Sequence, residues 1–96
     1  FLNRANRVLG IRMISSGGTA GTVCDPKNVF QVALKANASS IIICHNHPSG
    51  NLRPSEADNA LTRKFKEAGK FLDLPILDHL IATEDSYFSF ADEGLM

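Results

Sequence analysis

An excess of charge of either sign is the first thing this sequence lacks. Ten lysines and arginines balance ten aspartates and glutamates, for a formal net charge of +0 at pH 7. A protein that grips nucleic acid through many phosphates carries a positive field, so the charge of this chain gives no support to DNA binding. Also missing is any apolar run approaching the ~18 residues of a membrane span, and no charged-then-apolar leader opens the chain. The sequence therefore reads as soluble, unsecreted and off the membrane. Cys24 and Cys44 are too few for a disulfide framework and fit a reducing cytoplasm. The stretch Gly17-Gly18-Thr19-Ala20-Gly21-Thr22 has no following Lys-Ser or Lys-Thr and no G-x-G-x-x-G spacing, which argues against nucleotide binding and for a hinge or hairpin loop. Repeats and low-complexity tracts are absent too.

What is present suffices for one domain: 96 residues, 44% of them apolar, can enclose a single core. Val8 to Ile14 is predicted as a strand with Leu9, Ile11 and Met13 on one face. Asp25 as N-cap and Pro26 at the first helical position start a helix running to Ala38, with Val29, Val32, Ala33 and Ala36 turned inward. Ser39 to Cys44 is a β-branched run without alternation, the pattern of a strand buried on both faces. Pro48-Ser49-Gly50-Asn51 stops it. A second helix follows Ser55, with Ala57, Leu61, Phe65, Ala68 and Leu72 as its apolar stripe. Ile76 to Ala82 and Tyr87 to Phe90 read as strands joined by the turn Thr83-Glu84-Asp85-Ser86. Strands alternating with helices argue one α/β layered domain over residues 1–96. Opening on Phe1-Leu2-Asn3 without methionine, the chain is expected to be a piece of a longer one.

The chemistry is concentrated in His45-Asn46-His47-Pro48-Ser49-Gly50 and Ser55-Glu56-Ala57-Asp58. Two imidazoles at i and i+2 share one side of an extended strand, and Asp58, in the first turn of the next helix, can swing back to meet them. Two imidazoles and a carboxylate suit zinc, and three protein ligands leave a fourth position for water, as in catalytic sites. Ser55 would cap the helix with its lone pairs, leaving its proton free to stabilise an oxygen at the reacting centre. Taken alone, Ser-x-x-Asp is also a plain helix start and a histidine pair is also turn chemistry; together they favour a metal site. Cys44 faces away from the ligand side and is expected to be a buried apolar residue. His79, next to Asp78, is either a buttress for this site or a hydrogen-bonded structural histidine, and the structural role is the expectation. Arg63, Lys64, Lys66 and Lys70 are expected to form a solvated helix face.

His-x-His-Pro, a short loop and Ser-x-x-Asp together resemble the signature of the JAMM, or JAB/MPN, metalloprotease superfamily. The wording His45-Asn46-His47-Pro48-Ser49-Gly50 is similar to its bacterial RadC-like branch, named for DNA repair. Asp25-Pro26, Ala33-Leu34-Lys35-Ala36-Asn37-Ala38, Leu77-Asp78-His79-Leu80-Ile81 and Ser89 through Leu95 extend the resemblance over essentially the whole chain. It implies a three-layer α/β/α fold with a mixed sheet, of the JAB/MPN, cytidine deaminase-like architecture. It also implies Zn2+ held by His45, His47 and Asp58, with Ser55 as the helper at the reacting oxygen and a peptide or protein as substrate. The family's general base is a glutamate just before Ile-Ser-x-Gly-Gly. Here that place, ahead of Ile14-Ser15-Ser16-Gly17-Gly18, holds Met13, and a thioether cannot take a proton from water.

Three functions then compete: a zinc-dependent hydrolase of peptide or isopeptide bonds, a catalytically weak metal-binding or interaction module, and a DNA-repair accessory domain. His45-Asn46-His47 is not an HNH nuclease motif, whose residues are spread over a ββα unit. The H-x-E and P-C-x-x-C of a zinc nucleobase deaminase are absent.

Overall fold

A computed structural model describes residues 1–12, 25–47 and 49–96. Met13, the glycine-rich stretch and Cys24 lie outside the described residues. The elements run α1 (Pro26–Lys35), β1 (Ile41–Asn46), α2 (Glu56–Phe71), β2 (Ile76–Ala82) and β3 (Tyr87–Ser89). β1 and β2 pair in parallel across the α2 crossover, β2 and β3 pair antiparallel, and the sheet order is β1-β2-β3. The mixed sheet and α/β class expected from the sequence are therefore present.

α1 starts where the sequence places it. Asp25 is extended and its carboxylate accepts the Lys27 amide at 3.0 Å, with Pro26 filling a position whose N–H has no helical partner. It ends earlier than Ala38. Asn37 turns left-handed (φ 54°), and the amides of Ala38 and Asn37 close on the carbonyls of Ala33 and Leu34 at 3.0 and 3.2 Å, a Schellman stop. α2 ends the same way, with Asp73 at φ 54° and the Leu74 amide 2.8 Å from the Gly69 carbonyl.

One core lies between the helices and the sheet: Val29, Phe30 and Ala33 of α1, Ile41, Phe65 of α2, Leu74 and Ile76, with the Phe30 and Phe65 rings 5.8 Å apart. Two expected faces are corrected here. Ala36 is exposed and Phe30 takes its place inside α1; on α2, Phe65 is buried and Leu61 and Ala68 pack against the core as expected, but Ala57 and Leu72 are exposed while Thr62 and Gly69 are buried. β1 alternates instead of being buried on both sides: Ile41 is buried but Ile42 is 41% exposed. The described residues thus supply a helical layer and a sheet, two of the three expected layers, and leave the face carrying Ile42, Cys44 and Tyr87 open.

The early strand expected over Val8 to Ile14 is a further correction as far as Arg12, residues 13–14 lying outside the described residues. Val8 makes an isolated bridge to Leu2, residues 9–12 form no strand, and Ile11 is 92% exposed. Residues 1–9 instead turn back on themselves through Asn3 and Asn6 (φ 60°), and the Leu2 amide reaches Ser40 at 3.0 Å to anchor the turn beside β1. Among the described residues, no helix is long and apolar enough to cross a membrane.

Candidate metal centre

Alternation along β1 sends His45 to the same side as Ile41 and Ile43, towards α2. His47, two residues on, stays in line because its amide bonds the Ala82 carbonyl at 2.9 Å, just past the end of β1. A turn closes behind it, with the Gly50 amide 3.0 Å from the His47 carbonyl and Gly50 at φ 81°, a conformation glycine adopts without strain. α2 supplies Asp58 at its third position, held by a reciprocal capping box: Ser55 Oγ accepts the Asp58 amide at 3.0 Å, and the Ser55 amide donates to Asp58 Oδ2 at 2.8 Å. The plain helix start and the ligand position are one structure, because the carboxylate that caps also faces the histidines.

The three side chains converge by their ligand atoms. His45 Nε2 and His47 Nε2 stand 3.0 Å apart, His45 Nε2 is 3.1 Å from Asp58 Oδ1, and His47 Nε2 is 3.2 Å from Asp58 Oδ2. Ligand atoms at ~2.0–2.1 Å around a tetrahedral zinc are about 3.3 Å from each other. The triangle is therefore close to one face of such a tetrahedron, and these residues could hold a metal ion. Among the described residues no fourth histidine, cysteine or acid joins the group.

Electrostatics favour the ligand forms. Burial pushes the His45 pKa down; the Asp58 carboxylate opposes this, and the neighbouring His47 ring adds to it. At Asp58 burial acts upward, but the Ser55 hydrogen bonds and the two facing imidazoles outweigh it, and the carboxyl lies below its usual range. Neutral imidazoles and an ionised carboxylate are what a divalent ion requires.

Behind His45 lies a polar chain. His45 Nδ1 is 2.8 Å from His79 Nε2, and His79 Nδ1 is 2.5 Å from Thr62 Oγ1. His79 is 0% exposed, its ring stacked on Phe90 at 4.6 Å and 7°, and burial with the adjacent His45 pushes its pKa down to about 4. The structural role expected for His79 is thus incomplete, since it touches a candidate ligand directly. Its sequence neighbour does not: Asp78 accepts the amides of His79 and Ala91 and the Ser89 hydroxyl at 2.8, 3.0 and 2.5 Å, tying residues 89–91 to β2. Thr62 was not among the residues singled out from the sequence, although its place one helical turn after Asp58 was a usable signal. Nothing in the sequence pointed to Phe90 as the cover of His79.

Ser55 is at the site through the capping box, and Met13 is outside the described residues. Cys44 does face away from the ligands, but it is exposed rather than buried, because the described residues place nothing over that face of β1. Arg63, Lys64, Lys66 and Lys70 are exposed, as expected.

Comparison with known proteins agrees with the geometry. The family profile of the RadC-like JAB domain matches residues 1–95. A UPF0758 protein of Flavobacterium johnsoniae is 53% identical over 95 residues, covering 99% of this chain and 42% of the relative. A UPF0758 protein of Chlorobaculum parvum is 40% identical over 96 residues, covering 100% and 43%, and one of Thermotoga maritima is 40% identical over 87 residues, covering 91% and 39%. The chain spans less than half the length of these relatives. With 95 of its residues matched and more than half of them identical to one relative, the chain belongs to the RadC-like JAB domain family.

Proposed function

We propose that this chain is a zinc-binding JAMM-type domain built for metal-dependent hydrolysis of a peptide or isopeptide bond. The observation that carries the reading is the triangle of His45 Nε2, His47 Nε2 and the Asp58 carboxylate, 3.0–3.2 Å on each side. His45, His47 and Asp58 would hold the ion, and zinc bound there would supply Lewis acidity, drawing the pKa of a water it holds towards ~7. The chain's own contributions are three. Burial favours the neutral form of the His45 imidazole. The capping box fixes the orientation of the carboxylate. The Ser55 hydroxyl, accepting from Asp58 N, retains a proton to donate to an oxygen at the reacting centre.

A second reading is favoured by one residue. Met13 stands where the family's glutamate is expected, and loss of a general base removes ~100- to 10,000-fold in rate. On this reading the domain binds its metal and turns over little. Both readings share the metal, so the metal is tested first. Zinc at ~100 times its Kd should raise the stability of the protein by about 2.7 kcal/mol, and Asp58→Ala should abolish that gain. Elemental analysis and melting with and without zinc measure it; equal curves for wild type and Asp58→Ala would overturn the metal site. Turnover of a peptide and isopeptide panel by wild type against Met13→Glu then separates hydrolase from module. Chelator-sensitive hydrolysis by wild type supports the first, and activity gained only with Met13→Glu supports the second.

A further inference from the structure

The hydrogen bonds behind the ligand triangle have a direction that can be read from one end. Thr62 Oγ1 lies 2.9 Å from the Asp58 main-chain carbonyl, one turn back on α2. A carbonyl only accepts, so the single hydroxyl proton of Thr62 is committed there. Towards His79 Nδ1, 2.5 Å away, Thr62 Oγ1 is then an acceptor, and Nδ1 carries the hydrogen. An imidazole with no exposure and no carboxylate on either ring nitrogen is neutral, because a buried unpaired charge is too costly. His79 Nε2 therefore has a lone pair. It faces His45 Nδ1 at 2.8 Å, which must donate, and in a neutral ring this leaves His45 Nε2 bare where it meets His47 and Asp58. His47 reaches the same state by another route, its Nδ1 donating to the Asn51 carbonyl at 2.7 Å.

We infer that Thr62 and His79 are positioning residues that lock His45 in its Nδ1–H tautomer, so that two imidazole lone pairs and a carboxylate meet with no proton between them. The inference rests on the metal site proposed above and adds what prepares it. The relay begins at the carbonyl of one ligand, Asp58 on α2, crosses β2 at His79 and ends on a second ligand, His45 on β1. Helix and strand are thereby set in one register. Phe90, stacked on His79, excludes the water that would otherwise compete for these bonds. The acceptor behind His45 is a neutral ring, so Asp58 remains the one negative ligand of the three.

The test uses the intact protein and two readouts. Nitrogen-15 NMR of the metal-free protein should show His45 and His79 with Nδ1 protonated and Nε2 bare. Zinc affinity, measured by competition with a chromogenic chelator, should weaken about 10- to 100-fold in His79→Phe and Thr62→Val. His79→Gln and Thr62→Ser, which keep an acceptor and a donor in line, should recover most of it. Thr62→Val should also leave His45 in a mixture of tautomers, which a purely packing role would not produce. An Nε2–H His45 in wild type, or wild-type affinity in folded Thr62→Val, overturns the relay. If His79→Phe does not fold, Thr62→Val and the wild-type spectrum still decide. The two failures are distinct: wild type without zinc binding defeats the metal reading, whereas zinc binding unchanged by these variants defeats the relay alone.

Discussion

His79 shows how far one residue's burial reaches. Its pKa in the folded protein is about 4, below the ~6.5 of an unperturbed histidine, so between these values the unfolded chain holds a proton that the folded one does not. Stability from this residue is complete above pH ~6.5 and is lost as pH falls through ~4, by about 3 kcal/mol in all. His45, also lowered, acts with the same sign, and Asp58, held below its usual range, adds a loss at still lower pH. Urea unfolding of the metal-free protein at pH 7.0, 5.5 and 4.5 should therefore show a steep decline, flattened in His79→Gln. Equal stability at pH 7.0 and 4.5 would refute this. From sequence alone His79 could be named but not assigned, because its role depends on a ring 34 residues away. His45, His47 and Asp58 were legible because strand and helix periodicities put them on facing sides.

At the scale of the element, α2 is governed by close approach as much as by its apolar stripe. A Cβ on Gly69 would lie 2.4 Å from the Leu74 carbonyl oxygen, a main-chain atom that cannot swing aside. Alanine in mid-helix normally gains about 1 kcal/mol over glycine. Here that gain is smaller than the overlap, and Gly69→Ala is expected to destabilise by about 2 kcal/mol, read from urea midpoints at constant slope. A neutral or stabilising result would mean that the joint between α2 and β2 is looser than described. The predicted stripe holds at Leu61, Phe65 and Ala68 but misses two buried positions: Gly69 and Thr62 are buried for space and for a hydrogen bond, neither of which a hydrophobic pattern records. β2 was legible to the residue because its alternation and its turn are both local. Among the described residues β1 is not doubly buried; isoleucines on a sheet face that these residues leave open look the same in sequence as those under a second layer. α1 was overextended because Asn37 breaks a helix through its φ angle while Ala36 and Ala38 keep its pattern.

For the whole molecule, balanced charge sets what it meets in solution. With a net charge of +0 and its exposed cations spread from Arg4 to Lys70, the domain alone should bind duplex DNA on the order of 10⁻⁴ M or worse at physiological salt. Titration of a labelled duplex at several salt concentrations measures this, and sub-micromolar, salt-sensitive binding would contradict it. A part in DNA repair would then have to run through another domain or partner. The attachment of residues 89–91 to Asp78 also fixes an order of assembly. A chain made from its N-terminus exposes His45, His47 and Asp58 well before Phe90 exists to seal His79. If these three residues are the ligands proposed above, a nascent chain holds them without the clamp that aligns them, and the finished site dates from the moment residue 90 docks. On the metal reading proposed above, loading would follow the docking of residue 90 rather than the synthesis of the three ligands.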